Sequence, residues 1–517
     1  MSRPFQPHVA LALLACILLH AGAAGADDAG VATTSEPVAA EEVTRRDVAR
    51  SLQAFEAAFM EHQPQPPLRD QVVRQLDWIG NLIVFRGALA PAVREFDALA
   101  DAMRPPGQNT PADRAARALR LEIFPPVLVV DPEKEAHMRI ALRRLYVVEG
   151  EPTPLELRMR RVSPMPENAP PGRGSTTSTI LSTGALQEGA RFPPPLPGHY
   201  VWELATPGGN VWPCGEYDVL DTAPDVLCAE LLERLEAIDV TQPALLRSAR
   251  AARSRVNLLR NAPDPARPAS FMANLYELSR QLREEVAALE RGQNPYERRE
   301  GDYWRTIDIV AGPPLSLPAR VYAPASAIRS MEQGRPATLV IVLHGAGGDE
   351  NYFMDAYGAG EIKRQAEALG FVVVSPATLV AMSDLRSLGA MVDAMAELYN
   401  IDPERVLVVG HSLGAITAGL WAGQQPERIA GVGLIAGGQP DLQLFPAGDT
   451  PVDVPAFVVA AEHDTIFPPD GVAQSAAGAA RKGATVAFRR YEDEGHVSIV
   501  PASLSDVLSW LLEQTAE

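Results

Sequence analysis

The apolar positions of this chain change their spacing twice. From about 43 to 123 they recur every three to five residues. EEVTRRDVARSLQAFEAAFMEH sets Val43, Val48, Leu52, Phe55 and Phe59 on one stripe, and DQVVRQLDWIGNLIVFRGAL and PAVREFDALADAMR continue it. That period predicts helices, punctuated by Pro91 and by the pair Pro105-Pro106. From about 124 to 215, MRIALRRLYVV, LELRMRRV and HYVWELATPGGNVW alternate or concentrate β-branched and aromatic residues, which predicts strands. PENAPPGRGSTTSTILSTG, between them, has the composition of a loop. Helical spacing returns from about 224 to 291 in DVLCAELLERLEAI, ALLRSARAARSRVNLL and ANLYELSRQLREEVAALERG. The arginines of 247–260 read as a solvated face interleaved with core positions.

Beyond the linker RGQNPYERREGDYW the texture changes again. WRTIDIV, ARVYAPA, TLVIVLHG, FVVVSPA, RVLVVGH, GVGLIAGG, AFVVAAEHD and VAFRRYED are short apolar runs, and helical segments such as IKRQAEALG and LGAMVDAMAELYN separate the later ones. Continuous apolar runs are expected of strands buried on both faces of a parallel sheet. The predicted fold class is therefore α/β. Residues 303–517 form a mostly parallel eight-stranded sheet with helices on both faces. A mainly helical region, 43–295, with a small β-rich part near 124–215, precedes it.

At roughly 100–200 residues per domain, 517 residues imply two or three domains. The formal net charge of −19 argues against nucleic acid and anionic membrane surfaces as partners, because both require a basic footprint. It also mildly disfavours strongly anionic substrates. Residues 1–26 have the pattern of a signal peptide. Arg3 is followed by an apolar run from Val9 to Leu19, then by Ala24-Gly25-Ala26 as an A-x-A cleavage site before Asp27. The run is shorter than the ~20 residues of a membrane span. The expected location is periplasmic or secreted. Leu13-Leu14-Ala15-Cys16 resembles a lipoprotein processing box, but the apolar run continues past Cys16. Residues 27–42, small, polar and acidic, read as a flexible leader. Export permits disulfides, and after cleavage Cys214 and Cys228 remain as a possible pair, with two free thiols as the alternative. No Cys or His cluster has the spacing of a metal site, and nothing signals an organic cofactor.

The stretch VLVVGHSLGAITAGLWAG carries the chemistry. Gly410-His411-Ser412-Leu413-Gly414 matches G-x-S-x-G, with a strand before it and a helix after it, the context that places a nucleophilic Ser on a sharp turn. A Ser hydroxyl needs a base, and the base needs a group to orient it. In this architecture the order is Ser, acid, His. After Ser412 only His463 and His496 remain. His463 directly precedes an acid at a strand end, whereas His496 follows the last strand, in YEDEGHVSIV, and precedes a helix. His496 is therefore the expected base. AFVVAAEHD ends on Asp464, the expected acid, with Glu462 as fallback; Asp493 is closer to a turn cap. The loop His344-Gly345-Ala346-Gly347-Gly348 closes the third strand and supplies one oxyanion donor, Ala346, beside Leu413 after the nucleophile. His344 reads as a structural tie in that loop.

These pieces, LHGAGGDEN, IDPERVLVVGHSLGA, AAEHDTIFPP and DEGH, make residues of about 303–517 resemble an α/β-hydrolase. The resemblance is to the group of esterase D-like enzymes, polyhydroxybutyrate depolymerases, feruloyl esterases and dienelactone hydrolase-like proteins. It implies Ser412, Asp464 and His496 as triad and Ala346 and Leu413 as oxyanion donors. It covers about two fifths of the chain, and residues to about 295 resemble no family. The expected function is that of an exported serine hydrolase acting on a small-molecule or polymer ester without a cofactor. A prolyl-oligopeptidase-type peptidase is the alternative, ranked lower because no β-propeller repeat precedes the catalytic region. A non-catalytic partner-binding protein on a hydrolase scaffold is the third reading. The span between GVGLIAGG and AFVVAAEHD is short, so a cover for the pocket has to come from the N-terminal region or the loop near Tyr352 and Met354. Tyr352, Phe353, Met354 and Phe467 are either acyl-pocket or core residues.

Overall fold

The structure, a computed structural model, describes residues 43–125, 127–130, 138–148, 155–163, 176–177, 190–192, 196–238, 242–261, 274–309 and 312–515. The expected signal peptide, Cys16, the 27–42 leader and most of the 166–184 loop lie outside these residues.

The first helical stripe folds into α1 (Arg45–His62), α2 (Leu68–Arg86) and α3 (Leu89–Met103). Thr44 starts α1 with a capping box. Its hydroxyl accepts from the Asp47 N–H at 3.3 Å, and the Asp47 carboxylate accepts from the Thr44 N–H at 2.9 Å. Phe55, Val73, Leu76, Ile79, Val93 and Phe96 meet in one core between the three helices. Strand structure then begins at Leu119 and runs to Leu220, beyond both limits of the expected 124–215. The early start is the alternating stretch LRLEIF, which pairs antiparallel with the strand Met138–Arg144.

The strands are β1 (Leu119–Phe124), β2 (Leu128–Val129), β3 (Met138–Arg144), β4 (Glu156–Arg161), β5 (Thr176–Thr177), β6 (Ala190–Phe192), β7 (Gly198–Ala205) and β8 (Val211–Leu220). They form two small sheets, ordered β1-β3-β6 and β2-β8-β7-β4-β5. Three further helices follow, α4 (Pro224–Ala237), α5 (Pro243–Asn261) and α6 (Leu275–Glu290).

The two cysteines do not pair. Cys214 on β8 is buried in the core of the small sheets, its thiol directed to the Trp202 carbonyl at 3.4 Å. Cys228 on α4 is buried among the helices α4, α5 and α6, against the Val256 carbonyl at 3.3 Å. They are close in sequence, but β8 and α4 carry them into different cores. Burial pushes the Cys214 thiol up to about 12, far from the reactive thiolate range.

The apolar runs beyond residue 300 all enter one eight-stranded sheet. Its strands are β9 (Gly301–Ile309), β10 (Leu315–Ala323), β11 (Ala337–Leu343), β12 (Val372–Pro376), β13 (Ile401–His411), β14 (Gly431–Ile435), β15 (Ala456–Ala461) and β16 (Val486–Tyr491). The order is β16-β15-β14-β13-β11-β12-β10-β9. The β9–β10 and β10–β12 pairs are antiparallel and the others parallel. Alternate residues explain the unbroken runs. Leu339, Ile341, Leu343, Val406 and Val408 enter one core; Val340, Val342, Leu407 and Val409 enter the core on the opposite face. Each such side chain contributes about 1.5–3 kcal/mol through burial. The first face is covered by α8 (Arg386–Tyr399), α9 (Leu413–Gln424) and α10 (Pro469–Arg481), and the second by α7 (Glu361–Leu369) and α11 (Ile499–Gln514). No helix among the described residues is long and apolar enough to cross a membrane.

The N-terminal helices dock on this sheet domain beside the C-terminal ends of its parallel strands. Glu56 of α1 accepts a hydrogen bond from the Gly358 N–H at 3.1 Å, and Arg69 of α2 ion-pairs with Glu494. Val497 packs into the core of the three helices. Glu56 is fully enclosed, facing Tyr352 and Tyr357. Burial raises its carboxyl from 4.5 to about 8 despite the opposing Gly358 N–H.

This acid holds its proton more tightly folded than unfolded. The fold therefore carries no penalty from it below about pH 4.5 and an increasing one as the pH rises through about 8, at most ~1.4 kcal/mol per pH unit. Glu56→Gln should melt higher than the parent near pH 9 and alike near about pH 5. Parallel melting curves for the two proteins across that range would contradict the assignment.

Candidate active site

Ser412 links β13 to α9 with φ 54° and ψ −117°. A non-glycine residue in such a region costs about 1–3 kcal/mol, so the surroundings have to hold it. The Ser412 N–H donates to the Ile435 carbonyl at 3.0 Å, and the Ile416 N–H donates to the Ser412 carbonyl at 3.1 Å. The two glycines of the motif are steric necessities. A Cβ on Gly410 would lie 2.1 Å from the Gly414 carbonyl oxygen, and one on Gly414 would lie 1.9 Å from the Leu343 carbonyl oxygen.

His496 and Asp464 are brought together. His496 Nδ1 lies 2.8 Å from Asp464 Oδ2, and Asp464 Oδ1 accepts the N–H groups of Ile466 and Phe467, both at 2.8 Å. A carboxylate with three donors accepts and does not donate, so Nδ1 carries the hydrogen and Nε2 is left as the basic nitrogen. Glu462 faces outward and ion-pairs with Arg490, so Asp464 and not the fallback reaches the histidine. Asp493 is exposed. Neither Ser412 Oγ nor His496 Nε2 has a hydrogen-bond partner among the described residues, and both residues are largely buried. Hydrogen bonds between nucleophile and base are often loose before substrate binds.

The loop 344–348, expected to supply an oxyanion donor, lies against the serine. A Cβ on Gly345 would come within 3.2 Å of Ser412 Cβ. The Gly348 N–H turns back to the Gly345 carbonyl at 3.3 Å, which puts Ala346 in the tight turn beside Ser412. Leu413 is the first residue of α9, where an N–H has no partner inside the helix. His344 ties this loop down. Its Nδ1–H donates to the Gly345 carbonyl at 2.8 Å and its Nε2 accepts from the Thr378 N–H at 2.9 Å. Burial lowers it to about 4, so it is neutral at physiological pH.

Three further participants carry weak sequence signals or none. His411, the variable residue of the motif, sits between Tyr357 and His496. Its Nε2 lies 2.7 Å from the His496 carbonyl and its Nδ1 lies 2.8 Å from the Tyr357 hydroxyl. A carbonyl can only accept, so Nε2 carries the hydrogen and Nδ1 accepts from Tyr357. Tyr357 in turn accepts from the Gly345 N–H at 3.4 Å. Burial holds His411 well below its usual range, as this arrangement requires. The third is Asp77 of α2, whose Oδ2 accepts from the His496 N–H at 3.0 Å. Its only trace in the sequence is an acid one turn after the core residue Val73. Of the aromatic candidates, Phe467 stacks on the His496 ring at 5.9 Å. Phe353 and Met354 are sealed in the core behind the sheet, and Tyr352 packs against it.

Gly414→Ala drives a methyl into the Leu343 carbonyl and should cost about 3 kcal/mol or more in urea unfolding, with loss of soluble protein. A variant with the parent's unfolding midpoint would show that the turn has room that its geometry denies.

Comparison with known proteins places this architecture. Residues 374–500, which include Ser412, Asp464 and His496, match the serine hydrolase family model. NocK of Nocardia uniformis subsp. tsuyamanensis, an esterase by assignment, is 28% identical over 162 residues, covering 29% of this chain and 45% of NocK. Among solved structures, a thermostable esterase is 22% identical and covers 41% of this chain and 62% of its own, with a TM-score of 0.33. A ferulic acid esterase is 13% identical, with coverages of 41% and 99% and a TM-score of 0.34. The S-formylglutathione hydrolase of Agrobacterium tumefaciens is 16% identical, with coverages of 42% and 97% and a TM-score of 0.35. The chain thus spans less than half of its curated relative and about three fifths of the thermostable esterase. The C-terminal region is thus a mostly parallel eight-stranded α/β sheet whose residues 374–500 match the serine hydrolase family model.

Proposed function

We propose that this chain is an exported carboxylic ester hydrolase working through an acyl-enzyme. The observation that carries the reading is the Nδ1–Oδ2 bond between His496 and Asp464, beside a serine held on a strained turn. Ser412 Oγ attacks the acyl carbon of the ester while His496 Nε2 takes its proton. Asp464 keeps the imidazole oriented and stabilises the imidazolium that forms. The carbonyl oxygen gains negative charge and is met by the N–H groups of Leu413 and Ala346. Collapse of the tetrahedral intermediate expels the alcohol, which takes the proton from Nε2. Water then attacks the acyl-serine with the same base, releasing the acid and restoring the hydroxyl.

Phe467, stacked on the imidazole, lines the side of the site where an apolar acyl or alkyl group of the ester would lie. The export half of the proposal rests on the pattern of residues 1–26, and the N-terminus of the mature protein should be Asp27 by Edman sequencing.

A fluorophosphonate should label the parent at Ser412, located by peptide mass, and leave Ser412→Ala unlabelled and inactive on short-chain p-nitrophenyl esters. Asp464→Asn should lower kcat by about 10³- to 10⁴-fold, less than His496→Ala does. Equal turnover by Ser412→Ala and the parent would end the reading.

A further inference from the structure

One face of α2 follows the catalytic loop residue by residue. Arg69, Val73 and Asp77 are spaced four apart, so they line one face of the helix. Arg69 ion-pairs with Glu494. Val73 Cγ1 lies where it would meet a Cβ on Gly495 at 2.7 Å. Asp77 Oδ2 accepts the His496 N–H at 3.0 Å. Three consecutive residues of the loop, Glu494-Gly495-His496, are thus seated on three successive turns of a helix more than 400 positions earlier in the chain. The next residue, Val497, packs into the core that α2 shares with α1 and α3.

The seat is tight. A methyl at Gly495 would meet Val73 Cγ1 at 2.7 Å and the two Asp77 oxygens at 2.9 and 3.0 Å. The loop carries no ladder of its own here. It leaves β16 at Tyr491 and enters α11 at Ile499, and the histidine falls between the two. Asp77 is buried, and its Oδ2 is satisfied by the loop's own N–H. It also faces Asp464, a second acid, with His496 between them. Burial raises the Asp77 carboxyl to about 6; the His496 N–H and the charge of His496 oppose that rise, and the charge of Asp464 adds to it.

We infer that Asp77 is a positioning residue for His496, and that the N-terminal helical unit is a working part of the hydrolase site. Asp77 touches no reacting atom. It fixes the backbone of the base through the N–H, while Asp464 fixes the ring. The proposal rests on the reading of His496 as the general base. It assigns a role to α2 that G-x-S-x-G, the acid and the histidine do not imply.

The test uses the full chain and two readouts of fluorophosphonate labelling, its end-point stoichiometry and its rate, beside steady-state kinetics on a p-nitrophenyl ester. Asp77→Asn removes the charge that faces His496. It should label to the same end-point as the parent but about 10- to 100-fold more slowly, with kcat falling by the same factor and KM within about two-fold. Gly495→Ala drives a methyl against Val73 and the Asp77 carboxylate, pushing the loop off Asp77 while leaving that residue's charge in place, and should slow labelling in the same way. Glu56→Gln, on the same interface but bonded to Gly358, should label at the parent's rate. A merely structural role for Asp77 would lower the end-point, through misfolded chains, and leave the rate of the folded fraction unchanged; that result overturns the proposal. Should Asp77→Asn fail to fold, Gly495→Ala decides the matter, because a folded variant labelled at the parent's rate overturns it equally. If the parent itself is not labelled at Ser412, the hydrolase reading falls and this inference with it. A labelled parent beside an unimpaired Asp77→Asn removes this inference alone.

Discussion

The site depends on how one loop histidine is held. His496 lies between a strand and a helix and shares no regular backbone pairing with either. Three contacts hold it through three different atoms: Nδ1 to Asp464, the carbonyl to His411, and the N–H to Asp77. They come from the turn after β15, from the motif itself, and from α2. A base has to be held within a fraction of an ångström of its working position, because small displacements cost orders of magnitude in rate. Two of the three contacts act on the main chain and one on the ring, so removing a single one leaves a different freedom in each case.

Charge is distributed with similar economy. Three histidines surround Ser412, and two of them have both ring nitrogens engaged. His344 spans the Gly345 carbonyl and the Thr378 N–H, and His411 spans Tyr357 and the His496 carbonyl. Burial keeps both neutral, so they act as rigid joints between loops. Of the three, His496 is the one with a ring nitrogen left open. The serine is fixed by sterics instead: the Gly410 and Gly414 contacts let β13, α9 and β11 close around an elbow that no larger residue would fit.

Much of this is legible in the residues alone, and the rest fails for identifiable reasons. The eight strands of the large sheet are readable because residues buried on both faces leave unbroken apolar runs such as TLVIVLHG and RVLVVGH. The sharp turn at Ser412 is readable because its motif demands a strand before it and a helix after it, and the meeting of Asp464 with His496 because chain order leaves few alternatives. β1 hides because LRLEIF follows closely on a short helix, Pro111–Arg117, and is itself short. Cys214 and Cys228 mislead because closeness in sequence says nothing about the cores into which a strand and a helix turn. Asp77 and Glu56 are hidden more deeply. A helical period marks which positions face inward, but not whether an acid there meets solvent, an arginine or a backbone N–H from the far end of the chain.

That last separation has a temporal meaning. The contacts of α2 with the histidine loop join residues 419 and 425 positions apart, close to the full span of the described chain. During synthesis the helices can form and pack early, while the loop that they seat is made more than 400 residues later. Closing so large a loop comes late in folding because its entropic cost precedes any of its contacts. The seating of His496 therefore waits on contacts between the first described helices and a loop more than 400 positions later in the chain.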